Sequence, residues 1–125
     1  MMKKVVSMIL LATMLLLCLC SCGGIESKAQ AMIDEWNESE DLRLFSFRGE
    51  ADEEHGIYFV YVDLPSHNSG DTVTILMCGD VREKCCEPMA EMFEGSEYSP
   101  GFIFKRPNGT VFAIWEPNGG FEWYY

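Results

Sequence analysis

The residues able to do chemistry are few and scattered. The usual general bases are His55 and His67 alone, and both fall in polar, Gly- or Ser-containing stretches that read as loops. Serine catalysis needs a hydroxyl, a base and a group that orients the base, and no serine stands in a G-x-S-x-G frame. Cysteine catalysis needs a thiol beside a histidine. Cys85 and Cys86 are the candidates, but their neighbours offer no base, so they read better as small buried apolar side chains.

Asp52-Glu53-Glu54-His55 offers oxygen ligands and one imidazole to a divalent cation. It lacks the ligand spacing and central glycine of a calcium loop, and an acidic, solvated hairpin loop is the better reading. No glycine-rich phosphate loop occurs. No catalytic residue, metal ligand or cofactor is therefore assigned.

The aromatic C-terminus is the most unusual stretch. Phe121, Trp123 and Tyr125 alternate on one side of a strand, with Trp115 nearby. Exposed Trp and Tyr serve binding hot spots, sugar-stacking surfaces and bilayer interfaces. Trp115, Trp123 and Tyr125 are the candidate partner-binding groups, with covering the sheet as the competing role.

These residues must be carried by something, and the chain begins with a segment of another kind. Met1-Met2-Lys3-Lys4 is short and positive, and Val5 to Leu19 is almost wholly apolar. A charged start, a short apolar core and small residues beyond it describe an export signal. The run is shorter than the roughly 18–20 residues a spanning helix needs. Leu19-Cys20-Ser21-Cys22 closes it, followed by Gly23-Gly24.

That ending resembles the lipobox of bacterial lipoprotein precursors. Leu19 stands three before Cys22, and the small Ser21 just before it. Cys20 fills a place where small residues are usual. The resemblance covers about the first 24 residues and implies nothing about the domain beyond. It implies that Cys22 takes a diacylglyceryl group on sulfur, that signal peptidase II cuts before it, and that Cys22 becomes the first residue. Two acyl chains anchor stably where one is marginal. The expected location is therefore a cell or outer membrane, with the domain facing outside the cytoplasm.

The resulting division is a signal peptide over 1–21, a short tether over 22–26 and one domain over 27–125. Removing 21 of 125 residues leaves 104, enough for one modest core. All 20 acidic residues follow the signal, against 7 remaining basic ones, a net charge of −13. Such a surface repels phosphate backbones, so nucleic-acid binding is excluded as an expectation. Cys78, Cys85 and Cys86 are an odd number without C-x-x-C spacing, which argues against a disulfide framework. On one helix Cys78 and Cys85 stand about 10 Å apart, too far to bridge.

Ser27-Lys28-Ala29-Gln30 reads as a capping box, and Ala29, Met32, Ile33 and Trp36 form one helical stripe ending near Glu38. Asp41–Glu50 and Ile57–Leu64 read as two strands of a hairpin. Asp71–Glu94 is ambiguous. Val73, Met77, Val81, Cys85, Met89 and Met92 recur about every four residues, which favours a helix bent near Pro88. Thr72-Val73-Thr74-Ile75 prefers strand, so a strand at 72–77 and a helix from about 80 is the alternative. Pro107-Asn108-Gly109 and Pro117-Asn118-Gly119 are turn signals inside a three-stranded meander.

The expected fold is α+β, a single small domain of order α-β-β-α-β-β-β, with an antiparallel sheet and both helices on one face. The expected function is a membrane-anchored, non-catalytic binding module of the cell envelope, taking an envelope protein or glycan. The alternatives are a structural or assembly lipoprotein without a ligand of its own, or a cell-surface hydrolase.

Overall fold

A computed structural model describes residues 24–66 and 70–125 of the chain. The signal segment, the lipobox with Cys22, and His67 lie outside the described residues. The fold is α+β in the expected order. Helix α1 (Gly24–Glu38) is followed by a 3₁₀ turn (Glu40–Leu42), then strands β1 (Ser46–Asp52) and β2 (Ile57–Asp63). Helices α2 (Asp71–Val81) and α3 (Glu87–Phe93) come next, joined by a π-helical turn (Arg82–Cys86). Strands β3 (Ser99–Lys105), β4 (Val111–Glu116) and β5 (Gly120–Trp123) complete the chain.

The sheet runs in chain order, β1-β2-β3-β4-β5, but it is mixed rather than antiparallel. β2 and β3 pair parallel, from Ile57 against Ser99 to Asp63 against Lys105. The cause is the helical segment between them. It carries the chain back along the sheet, so the next strand starts from the same end as the last. The other three pairings are antiparallel.

Strand β1 starts later than Asp41. Leu42 is buried, and the backbone around it closes a 3₁₀ turn through Leu42 N–H to Ser39 O (3.3 Å) and Phe45 N–H to Leu42 O (3.0 Å). Helix α1 starts earlier than Ser27 and takes up Gly24–Glu26. Ile25 packs against the core there, and the Tyr98 hydroxyl donates to Glu26 Oε1 at 2.9 Å.

The segment 71–93 is helical throughout, as its periodicity favours. A four-residue repeat drifts against the 3.6-residue helix. The structure absorbs the drift in the π turn, where consecutive Cys85 and Cys86 are both buried. Beyond it the buried residues are Met89 and Phe93, not Met92. Pro88 follows at once. A proline ring presses on the carbonyl four residues back, and the wider π turn relieves that pressure.

The helices cover one face of the sheet. Trp36 of α1 lies 5.4 Å from Phe47 and 6.0 Å from Phe102, ring centre to ring centre. Phe93 of α3 lies 5.5 Å from Tyr58. Gly49 permits the close approach of α1, since a Cβ there would stand 2.6 Å from Ile33 Cδ1. A bulge at Phe104/Lys105 turns both Phe112 and Ala113 into the core. In the first meander turn Gly109 holds φ +88°, and in the second Gly120, one residue past Asn118-Gly119, holds φ +67°.

Candidate functional site

Strand β2 is apolar on both sides. Tyr58, Val60 and Val62 are buried toward the helices, while Ile57, Phe59 and Tyr61 alternate onto the opposite face. Among the described residues no helix lies over that opposite face, and its apolar residues Ile57, Phe59, Tyr61, Ile103 and Ile114 are half-buried.

One register row crosses all five strands on this face: Arg48, Tyr61, Ile103, Ile114 and Glu122. The next row places Glu50, Phe59 and Gly101 side by side. The rings of Phe59 and Tyr61 stack at 6.4 Å. Because Gly101 has no side chain, the surface dips there. A groove of about 280 Å³ lies between Ile57, Phe59, Ile103, Ile114 and Glu116, with Gly101 in its floor.

The charges on this face are arranged. Arg48 from β1 and Lys105 from β3 both sit over the Tyr61 ring, at 4.6 and 4.9 Å from its centre. Their charge is held against the ring quadrupole. Glu50, Glu116 and Glu122 are exposed around the apolar centre. The face offers apolar contact with a carboxylate rim.

The three aromatic residues expected to bind a partner are placed differently from one another. Trp115 is buried at 5 % exposure, its ring 6.0 Å from Phe102 in the helix-facing row Val60–Phe102–Trp115–Phe121. It offers no open ring face. Trp123 is half-buried and stacked 4.5 Å from Phe121. Tyr125 is exposed, its ring stacked 5.3 Å from the buried Phe112 and edge-on at 5.9 Å to Trp123. Trp123 and Tyr125 thus meet at the β5 edge, and Trp115 is apart from them.

Phe59, Tyr61, Ile103 and Ile114 were not singled out by their types. The signal for them is the double-sided apolar pattern of β2. A strand apolar on both faces needs cover on both, and the described residues cover only one.

Among the described residues the catalytic candidates His55, Cys85 and Cys86 do not assemble. Cys78, Cys85 and Cys86 are free thiols in the core. Burial pushes the Cys78 and Cys85 thiols up to about 12, and Cys86 further in the same direction. His55 sits in the β1–β2 turn, its Nδ1 2.9 Å from Asp52 Oδ2, and its backbone N–H donates to Asp52 Oδ1 at 3.2 Å. The hydrogen bond to His55 holds the Asp52 carboxyl below its ordinary value. Among the described residues, no three His, Cys, Asp or Glu side chains gather where a metal ion would sit. Among the same residues, no helix is long and apolar enough to cross a membrane.

Comparison with known protein families, with curated proteins and with solved structures finds no match to this chain.

Proposed function

We propose that this protein is a lipid-anchored, non-catalytic binding module of the cell envelope, and that the uncovered face of its sheet is the binding surface. The single observation carrying the second half is the apolar centre of that face. Exposed contiguous apolar surface rimmed by polar groups marks interaction sites, and Phe59, Tyr61, Ile103 and Ile114 form such a centre within a carboxylate rim.

The anchor rests on Leu19-Cys20-Ser21-Cys22 at the end of an export-type signal. Acylation of Cys22 would leave one residue, Gly23, before α1 begins at Gly24. The Glu26–Tyr98 hydrogen bond ties that helix start to the start of β3. The domain would then stand against the bilayer on the end of the sheet that carries the β1–β2 turn. Its open face would rise beside the membrane, available to a neighbouring envelope component. Trp123 and Tyr125 would form a smaller aromatic patch at the β5 edge. The protonated, buried thiols support the non-catalytic reading over a thiol-dependent hydrolase.

Detergent-phase partitioning of the parent and of Cys22→Ser tests the anchor. The parent enters the detergent phase, and Cys22→Ser is released to the aqueous phase or stays an unprocessed precursor. A Cys22→Ser protein that is cleaved and still enters the detergent phase contradicts the anchor.

A further inference from the structure

The groove over Gly101 can be read for what fills it. Glycine in a strand interior costs stability, because it orders a freer backbone and packs nothing. A fold can require it through a positive φ or a close approach. Gly49 is such a case, because Ile33 and Tyr58 occupy the space a Cβ would take. Gly101 is not. Its φ lies outside the left-handed range, and a Cβ would meet Ile57 Cγ2 at 3.6 Å and Phe59 Cδ1 at 3.7 Å, ordinary contacts. The sheet therefore has room for a side chain at 101. What the glycine provides is the groove, and a glycine of this kind marks a place where another molecule comes close.

The lining and the charges specify that molecule. Ile57, Ile103 and Ile114 offer aliphatic contact, and the lining also holds the polar side chains of Ser99, Asn118 and Glu116. The Tyr61 ring, the natural platform for a sugar, carries Arg48 and Lys105 over it. Among the described strand residues they are also the only two cations on this face. Against them stand five carboxylates, from Glu50, Asp52, Asp63, Glu116 and Glu122, placed on the same side by strand alternation. A second copy of this chain docked face to face would bring five acids against five, which complementarity disfavours. The whole chain adds to this field, with a net charge of −11 before any processing.

We infer that the groove over Gly101 receives one bulky apolar side chain from a basic polypeptide segment, whose flanking Lys or Arg residues pair with Glu116 and Glu50. This names the partner chemistry of the proposed binding face and rests on that reading.

The test uses the full mature chain, lipid-anchored in phosphatidylcholine nanodiscs, with isoleucine methyl groups labelled for NMR. The probes are the peptides Lys-Lys-Leu-Lys-Lys, Lys-Lys-Gly-Lys-Lys and Glu-Glu-Leu-Glu-Glu, and a soluble glucan oligomer. The first peptide shifts the methyls of Ile57, Ile103 and Ile114. Replacing its Leu by Gly weakens binding about tenfold or more, the worth of one buried side chain. Gly101→Val fills the groove and abolishes the shifts while the domain keeps its thermal transition. Glu116→Lys, on the exposed rim, weakens binding and flattens its salt dependence, and it serves if Gly101→Val fails to fold.

Equal or stronger binding of the acidic peptide or the glucan at the same methyls overturns the partner chemistry and leaves the face. Shifts confined to Ile25, Ile33 or Ile75, or no shift with any probe, overturn the face as well.

Discussion

The side-chain amide of Asn37 makes two hydrogen bonds to the backbone of Phe47. Its Nδ2 donates to the Phe47 carbonyl at 2.9 Å, and the Phe47 N–H donates to its Oδ1 at 2.8 Å. β1 is an edge strand, and unpaired edge groups invite pairing with other chains. Asn37, at the end of α1, stands where a sixth strand would pair. It also fixes the helix end to the sheet beside the Trp36–Phe47 contact. Asn37→Ala should cost about 1–3 kcal/mol, because both backbone groups lose a partner in a part-buried site. Urea unfolding of the two proteins measures it. A change under about 0.5 kcal/mol, the usual range of surface substitutions, would remove Asn37 from the account.

Two strand glycines should respond in opposite ways. Gly49→Ala drives a methyl into Ile33 and Tyr58, and should destabilise by about 1–3 kcal/mol through overpacking. Gly101→Ala meets only ordinary contacts, and should be neutral or stabilising by about 0.5–1 kcal/mol. Thermal unfolding of the pair decides the matter. Equal losses at both positions would mean that the space at Gly101 serves the fold.

Among the described residues the three thiols, Cys78, Cys85 and Cys86, should be silent in the native protein. Cys78 and Cys85, pushed up to about 12 by burial, present almost no thiolate at pH 8. Maleimide labelling should therefore track unfolding by urea, with three sites appearing in one transition. Rapid native labelling of one site would show a thiol open to solvent.

The Tyr98 hydroxyl should register in alkaline unfolding. Burial, then the hydrogen bond to Glu26, pushes it from 10 up to about 12. The folded state thus holds the proton more tightly than the unfolded state. This contribution is fully present below pH 10 and is lost as pH rises from about 10 to about 12. Tyr98→Phe should shrink the fall in stability across that window. An unchanged slope in Tyr98→Phe would assign the alkaline loss to other groups.

Much of the scaffold was legible in the chain. Ala29, Ile33 and Trp36 recur at helical spacing, and they are the buried stripe of α1. The order of elements followed from where the period changes from helical to alternating. The parallel pairing had one pointer in the strand pattern, the near-continuous apolar run Ile57–Val62 of β2. Reading that pointer required weighing the helix between β2 and β3 as a crossover. The phase of the buried stripe in 71–93 was obscured by the π turn, which no residue type announces. The aromatic C-terminus drew attention by composition. Yet Trp115 is packed on Phe102, and the open face is built from Phe59, Tyr61, Ile103 and Ile114, ordinary strand residues. Their exposure depends on where the helices lie, and that is a property of the whole fold.

The most direct measurement is site-specific photocrosslinking in cells producing the anchored protein. A photoreactive phenylalanine analogue is placed at Ile114 on the open face, or at Leu76, which is 69 % exposed on α2. The account predicts a discrete adduct from Ile114, lost when Gly101→Val is combined with it, and none from Leu76. Adducts from both positions alike, or from Leu76 alone, would contradict the assignment of the open sheet face as the binding surface.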